Sequence, residues 1–360
     1  MPTTFDISLS TAHPVDSRIV QADRRERRQP MAGFEDTFTD IVDFILRATH
    51  RIWDEKGIGY LYEHYRSNTR VVDDSGIVYG RDQVIANTTQ MIAAFPDMRC
   101  FADEIIWCGD ESQGFWVSHR VSLVGRNTGY SRWGAPTGRN VVITCIANTY
   151  SRNNQISDEY VVYNTASLIQ QLGLDLPEQA QLERAARAGG SATVAPAHGD
   201  AQRLQGQGRP SRPLQTFNTD GAVGDSVRAT LDAIWNWRML DRVDAAYSAG
   251  LRFHGPTDRE MCGLGDYKAY LLSILAMFPD LAYEVDDLSW MGNDADGYVT
   301  AIRWSITGTH LGHGPYGPPT GRPVHMWGIT HYQIRDGIIL EEWTVSNEFD
   351  TLVQLAPDSD

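Results

Sequence analysis

Apolar residues fall into two alternating regimes, and the whole alternation occurs twice. Phe38, Ile41, Phe44, Ile45 and Ala48 recur at spacings of three and four, as one face of a helix requires. Val227, Leu231, Ile234 and Trp235 repeat the pattern. The sequence predicts a short second helix over 60–65 and 242–248, then a short strand over 69–72 and 251–254. A third helix is predicted over 83–94 and 265–277, ended by Phe-Pro-Asp, where the proline cannot continue it. From there the period shortens to two. Strands are predicted at 98–107, 114–124, 140–150 and 156–163, and at 281–290, 297–307, 323–334 and 338–346, split by turn signals such as CGDESQG, GNDADG and RDG.

The recurrence is a duplication of a whole domain. AFPDM at 94–98 returns as MFPDL 183 residues later, and the same offset carries Trp107 onto Trp290, Arg120 onto Arg303, GAPTGR onto GPPTGR and DEYVVYN onto EEWTVSN. The register holds over about 70 residues with roughly a third of them identical, and slips by one upstream, where Trp53 meets Trp235. The organisation expected is a polar arm over 1–32, a first domain over 33–172, a linker rich in Ala, Gly, Gln, Pro and Arg over 173–222, and a second domain over 223–357. The order ααβαββββ implies an α+β fold: three helices leading into a curved antiparallel sheet, which wraps them into a cone with a pocket at its wide end.

Composition narrows the function. A net charge of −15 argues against a general nucleic-acid binder, which needs a basic surface. No apolar run reaches the ~18–20 residues of a membrane span, and the N-terminal stretch has no apolar signal-type core. The four cysteines are too scattered for a disulfide scaffold or a cysteine zinc site, which fits a reducing cytoplasmic compartment. There is no GxGxxG, P-loop or GxSxG, and the two histidines of HLGH at 310–313 have no evident third ligand. Chemistry without cofactor or metal is the default expectation.

The run THLGHGPYGPPTGRPVHMWGITHYQIRDGIILEEWTVSN, and its looser partner RNTGYSRWGAPTGRNVVITCIANTYSRNNQISDEYVVYN, resemble the SnoaL-like ester cyclases of the NTF2-like superfamily. The resemblance covers about three quarters of the chain and implies two cone-shaped α+β barrels paired as an internal pseudo-dimer, with further homo-oligomerisation possible. Its PTGR run is moderately specific for the family and weak evidence for any one reaction. The activity it implies is a cofactor-independent lyase or isomerase acting on a small hydrophobic, aromatic or polyketide-like molecule, by cyclisation, dehydration or retro-aldol cleavage. The alternative is a non-catalytic small-molecule binder.

Candidate residues follow from the resemblance and from strand alternation. His310 holds the position of the family histidine, where Asn127 stands in the first copy. Asn347 and Asn164 stand where the resembling cyclases carry an aspartate that moves protons, and an amide can hold oxygen but cannot take a proton at neutral pH. His331, against Asn148, again distinguishes the second copy. Glu341 opens the closing strand on one face with Trp343, Val345 and Asn347, while Glu342, Thr344 and Ser346 share the other. The catalytic candidates are therefore His310, Asn347, His331 and Glu341. Arg303 and Arg120 read either as anchors for an anionic oxygen pair or as structural partners of Asp286 and Asp103. Tyr316, Trp327, Trp343, Tyr160 and Asn164 complete the candidate walls for a small-molecule substrate.

Overall fold

The computed structural model describes residues 15–16, 26–189 and 221–358, and divides the chain into two compact units. The first runs to Tyr163 and includes Leu168–Leu174; the second takes Asn164–Ser167 and the chain from Asp175 onward. Most of the expected N-terminal arm, and the linker over 190–220, lie outside the described residues.

The first unit contains β1 (Val15–Asp16), α1 (Ile41–Thr49), α2 (Leu61–His64), β2 (Tyr65–Val72), β3 (Ile77–Tyr79), α3 (Arg81–Ala94), β4 (Arg99–Asp110), β5 (Gly114–Arg126), β6 (Asn140–Arg152) and β7 (Gln155–Tyr163). The division runs through α4 (Thr165–Gln171), and α5 (Leu176–Ala188) belongs to the second unit. The second unit goes on with α6 (Ala222–Leu231), α7 (Asp241–Ala246), β8 (Tyr247–Gly255), β9 (Arg259–Cys262), α8 (Leu264–Met277), β10 (Ala282–Asn293), β11 (Gly297–Thr309), β12 (Pro323–Arg335), β13 (Ile338–Ser346) and α9 (Glu348–Leu355). No helix among the described residues is long and apolar enough to cross a membrane.

Local chemistry accounts for the element ends. The Asp40 carboxylate accepts the Asp43 backbone N–H at 2.8 Å and caps α1, whose Ile41, Phe44, Ile45 and Ala48 are all buried. Both third helices stop at the Phe-Pro-Asp turn, closed by Met98 N–H to Phe95 carbonyl and by Leu281 N–H to Phe278 carbonyl, each at 3.0 Å.

The α+β class expected from the sequence is the one observed, with one difference in the sheet. Each sheet is open and mixed, in the order β1-β4-β5-β6-β7-β2-β3 and β10-β11-β12-β13-β8-β9. The strand that follows α2 or α7 joins the closing strand in parallel, β2 on β7 and β8 on β13, while every other pairing is antiparallel. Parallel pairing arises because most of the unit separates the two strands, and so long a connection can return to either end of its partner. The short edge strands β3 and β9 were also not foreseen. The stretch read as linker starts with a helix, α5, whose N-cap is Asp175 and whose Arg187 bonds Asp350 of α9 at 2.6 Å.

Bulges at Ala102/Glu104 and Val285/Asp287 bend the first long strand at the same place in both sheets. The bend turns one sheet face toward the helices. In the second unit that face carries Leu288, Trp290, Ile302, Trp304, Ile306, Val324, Met326, Tyr332 and Ile334, packed with Leu231, Ile234, Tyr267 and Leu271 of the helical layer.

Candidate functional site

A polar cluster lies inside the second unit, on the sheet face that meets the helices. Glu342 on β13 is the only carboxylate of the described residues in this cluster. Its Oε2 accepts the hydroxyl of Tyr267 from α8 at 2.8 Å, and its Oε1 accepts the hydroxyl of Thr344 at 2.9 Å. Thr344 lies 2.7 Å from Thr330 on β12, which in turn accepts the indole N–H of Trp304 at 3.0 Å. The hydroxyls of Tyr247 and Tyr267 are 3.3 Å apart, and those of Tyr247 and Tyr332 are 3.4 Å apart. Trp235, Tyr283 and Trp304 stack in sequence beside them, with ring centroids 5.6 and 5.7 Å apart.

Burial sets the acidity of this cluster. It pushes the Glu342 carboxyl up to about 7, against the pull of the bonds from Tyr267 and Thr344. The same desolvation raises the phenols of Tyr267, Tyr247, Tyr332 and Tyr283, so they stay neutral hydroxyls. Close to neutral pH both protonation states of the carboxyl are therefore populated, which is the property a general acid or base needs.

The first unit holds the equivalent group. Glu159, 183 residues before Glu342, sits on β7, and its Oε2 accepts the hydroxyl of Tyr65 at 2.9 Å. Tyr65 starts β2 as Tyr247 starts β8. Burial pushes Glu159 up to about 7, Tyr65's bond opposes the shift, and the Asp73 charge adds to it. The neighbouring Cys145 thiol and Tyr163 phenol are raised well above their ordinary values by the same burial.

The residues singled out from sequence occupy other places. His310 is fully buried beside the PTGR loop, with Nδ1 3.3 Å from the Thr320 hydroxyl and its ring 5.5 Å from that of Phe278. Burial, then His313, holds its pKa below the usual value. Asn127 stands at the same place in the first unit, where its Oδ1 accepts the Thr137 backbone N–H at 2.8 Å. Both side chains therefore brace the same loop. The loop hugs the end of the third helix so closely that a Cβ on Gly312 would lie 1.8 Å from the Ala276 carbonyl oxygen, and one on Gly129 would lie 1.9 Å from that of Ala93.

Asn347 is the N-cap of α9. Its Oδ1 accepts the Trp327 backbone N–H at 2.8 Å, and its amide donates to Asp350 at 3.2 Å. Asn164 is used likewise, accepting from Thr257 N–H at 2.8 Å and donating to Asp258 at 3.0 Å. Glu341 stands on the sheet face opposite Glu342, ion-paired with Arg252 and 3.0 Å from Nε2 of His254, whose ring stacks on Trp343 at 5.2 Å. Tyr160 is engaged on the matching face of the first unit, where its hydroxyl accepts from Arg70 at 2.7 Å.

His331 and Trp327 are buried on β12, opposite in phase to Met326 and Tyr332 of the core. Arg303 and Arg120 alternate out of phase with core residues Ile302 and Val117, and lie 4.0 Å from Asp287 and 3.8 Å from Asp103. Tyr316 alone of the candidate walls packs against the second unit's core. Its hydroxyl donates to the buried Glu348 at 3.0 Å, beside Arg259, which bonds the same carboxylate at 2.8 and 2.9 Å.

Glu342 and Glu159 are the residues that sequence reasoning passed over. Alternation separated Glu341 from Glu342 correctly but could not tell which face looked inward. The usable signal was the repeat: position 342 keeps glutamate in both copies, whereas 341 is Asp158 in the first. One group of possible metal ligands occurs among the described residues, Glu35, Glu63 and His64 in the first unit. The Arg51 guanidinium lies 3.4 Å from both Glu35 and His64 and so brings a positive charge to two of the three groups.

Residues 225–355 match the family described as SnoaL-like polyketide cyclase. Among solved structures, a putative SnoaL-like polyketide cyclase from Jannaschia sp. CCS1 matches at 16% identity, covering 41% of this chain and all of that one, with a TM-score of 0.35. IdmH, a putative polyketide cyclase from Streptomyces antibioticus, matches at 26% identity over 38% of this chain and 99% of its own, with a TM-score of 0.32. A putative polyketide cyclase from Acidithiobacillus ferrooxidans matches at 20% identity over 39% of this chain and 99% of its own, with a TM-score of 0.33. No curated protein matches the chain.

Proposed function

We propose, taking residues 225–355 as a SnoaL-like domain, that this chain is a cofactor-independent acid–base enzyme of the lyase or isomerase type. Its substrate is a small hydrophobic, aromatic or polyketide-like molecule. The observation that supports this most is a desolvated glutamate, tyrosine-bonded and pushed up to about 7, at the same position of both units.

A carboxylate of that acidity can take a proton from carbon beside a carbonyl, leaving an enolate and a neutral carboxylic acid. The acid then returns the proton to carbon or oxygen, which completes an isomerisation or assists loss of a leaving hydroxyl. Neutral tyrosine hydroxyls close by can donate to the developing oxyanion. Proton transfer is assigned here to the glutamates, because His310 Nδ1 faces Thr320 of its loop and the Asn347 side chain is bonded to the Trp327 backbone and Asp350.

The test is turnover of a panel of aromatic β-keto and β-hydroxy esters by the wild type and by the double variant Glu159→Gln/Glu342→Gln. The expected result is conversion by the wild type and none by the variant. Conversion at the wild-type rate by the double variant would refute the assignment. A second reading, ligand binding without reaction, draws on the engagement of His310, Asn347 and Asn164 in structural bonds. It predicts binding of the same panel with no conversion by either protein.

A further inference from the structure

The two interiors share a frame and differ in what fills it. At four interior positions the second unit carries an aromatic ring where the first carries a smaller side chain, while the first unit's own rings, Phe34, Phe38 and Phe44, pack on Phe115 and Val117. Tyr267 replaces Val84, Tyr283 replaces Cys100, Trp304 replaces Val121 and Tyr332 replaces Thr149. Only Tyr163, opposite Ser346, runs the other way among the interior tyrosines. Gly328 lies against Trp304, where a Cβ would be 2.5 Å from the Val345 carbonyl oxygen and 2.6 Å from the indole; the first unit has Cys145 at that position.

Hydrogen bonding differs in the same sense. In the second unit both Glu342 oxygens are bonded, and the chain of partners runs on through Thr344 and Thr330 to Trp304. In the first unit Val161 and Ala147 replace those two threonines. Tyr65 is the hydrogen-bond partner seen on Glu159 among the described residues. Thr149 pairs directly across the ladder from Glu159, and its buried hydroxyl has no partner among the described residues. Glu159 and Tyr163 also keep part of their surface accessible, although burial dominates the acidity of both; Glu342 and Tyr332 do not. Groups that are desolvated yet accessible are the lining that an internal recess requires.

We propose that the recess of the first unit, between Tyr65, Thr149, Glu159 and Tyr163, is the ligand chamber of this chain, and that the second unit's interior is filled by its own aromatic rings. The ligand is an uncharged ring compound bearing a hydroxyl or enol, which donates to Glu159 and accepts from Thr149. An anionic ligand is disfavoured, because none of the charges acting on Glu159 is a cation. This deepens the function proposed above and relies on it for the chemistry, but not for binding.

The experiment uses 2-naphthol as probe and 2-naphthoate as its anionic counterpart, titrated calorimetrically into the full chain. The wild type should bind one equivalent of 2-naphthol, and the naphthoate at least about tenfold more weakly. Glu159→Gln should weaken 2-naphthol by about tenfold or more, the scale of one lost bond to a charged group. Thr149→Tyr should abolish binding by installing the second unit's ring, with circular dichroism showing that the variant is folded. Glu159→Gln is nearly isosteric and keeps the test open should Thr149→Tyr fail to fold.

No binding to the wild type, two equivalents per chain, or binding that survives Glu159→Gln but is lost in Glu342→Gln would each overturn the proposal. Binding that depends on Glu159, without conversion of any ester in the panel, supports the chamber and counts against the acid–base reading. Turnover that depends on Glu342 alone supports acid–base chemistry and overturns the chamber.

Discussion

The first and second units started from one sequence pattern and now solve the same electrostatic problem differently. Each buries a carboxyl at the inward face of its closing strand. The second unit satisfies it completely, with a tyrosine and a threonine on its two oxygens and aromatic rings around them. Among the described residues, the first gives it one tyrosine and leaves the Thr149 hydroxyl across the ladder without a partner. A polar group left partly unsatisfied in an enclosed space costs stability unless something arrives to complete it, so the less finished interior is the better candidate for chemistry.

The strongest way to break this comparison is to exchange the carboxyls one at a time. Glu159→Gln is expected to lower turnover of a converted substrate by about 10²–10⁴-fold, the usual contribution of a general acid or base. A loss of that size in Glu342→Gln instead would reverse the roles of the units. Next comes stability. Trp304→Ala should cost about 3–5 kcal/mol in denaturant unfolding of the second unit, the range for deleting a buried aromatic ring. A cost below about 1 kcal/mol would mean that the second interior is not the filled core described.

The pH dependence sharpens the comparison further. Both carboxyls titrate near 4.5 when unfolded and at about 7 when folded, so folding favours their protonated forms. Their stabilising contribution is complete below about 4.5 and disappears as pH rises through about 7, an effect on the order of a few kcal/mol for each. Glu342→Gln should therefore flatten the fall in stability over that window, as read from urea midpoints at several pH values. An unchanged slope would contradict the raised acidity. The smallest effect is expected at the loop brace. His310→Asn copies the first unit's solution and should change stability by less than about 1 kcal/mol and leave turnover intact. Lost turnover would return the histidine to the chemistry.

Much of the fold was legible in the sequence, because the signals that carry it are local and occur twice. The Phe-Pro-Asp stop and the turn glycines repeat at an offset of 183 and the first helix at 182, so the element order could be read twice and checked against itself. The parallel closure of β8 on β13 was not legible, since it pairs strands about ninety residues apart with no short turn to announce it. The site was half legible for a similar reason. Alternation placed Glu341 and Glu342 on opposite faces, but Trp343 and Val345 make one face as apolar as Thr344 and Ser346 make the other polar. Apolarity alone therefore pointed inward on the wrong side, because the outward face of this sheet is buried as well. The asparagines are held by bonds that position alone does not announce: Asn347 to the Trp327 backbone and Asp350, and Asn164 to the Thr257 backbone and Asp258.

Gly328 limits how the second interior can be altered. A Cβ there would lie 2.5 Å from the Val345 carbonyl oxygen and 2.6 Å from the Trp304 indole, so a side chain at 328 needs the closing strand to shift as well as the indole to leave. Trimming Trp304 alone therefore empties a space that position 328 cannot fill, and the two positions have to be redesigned together with β13.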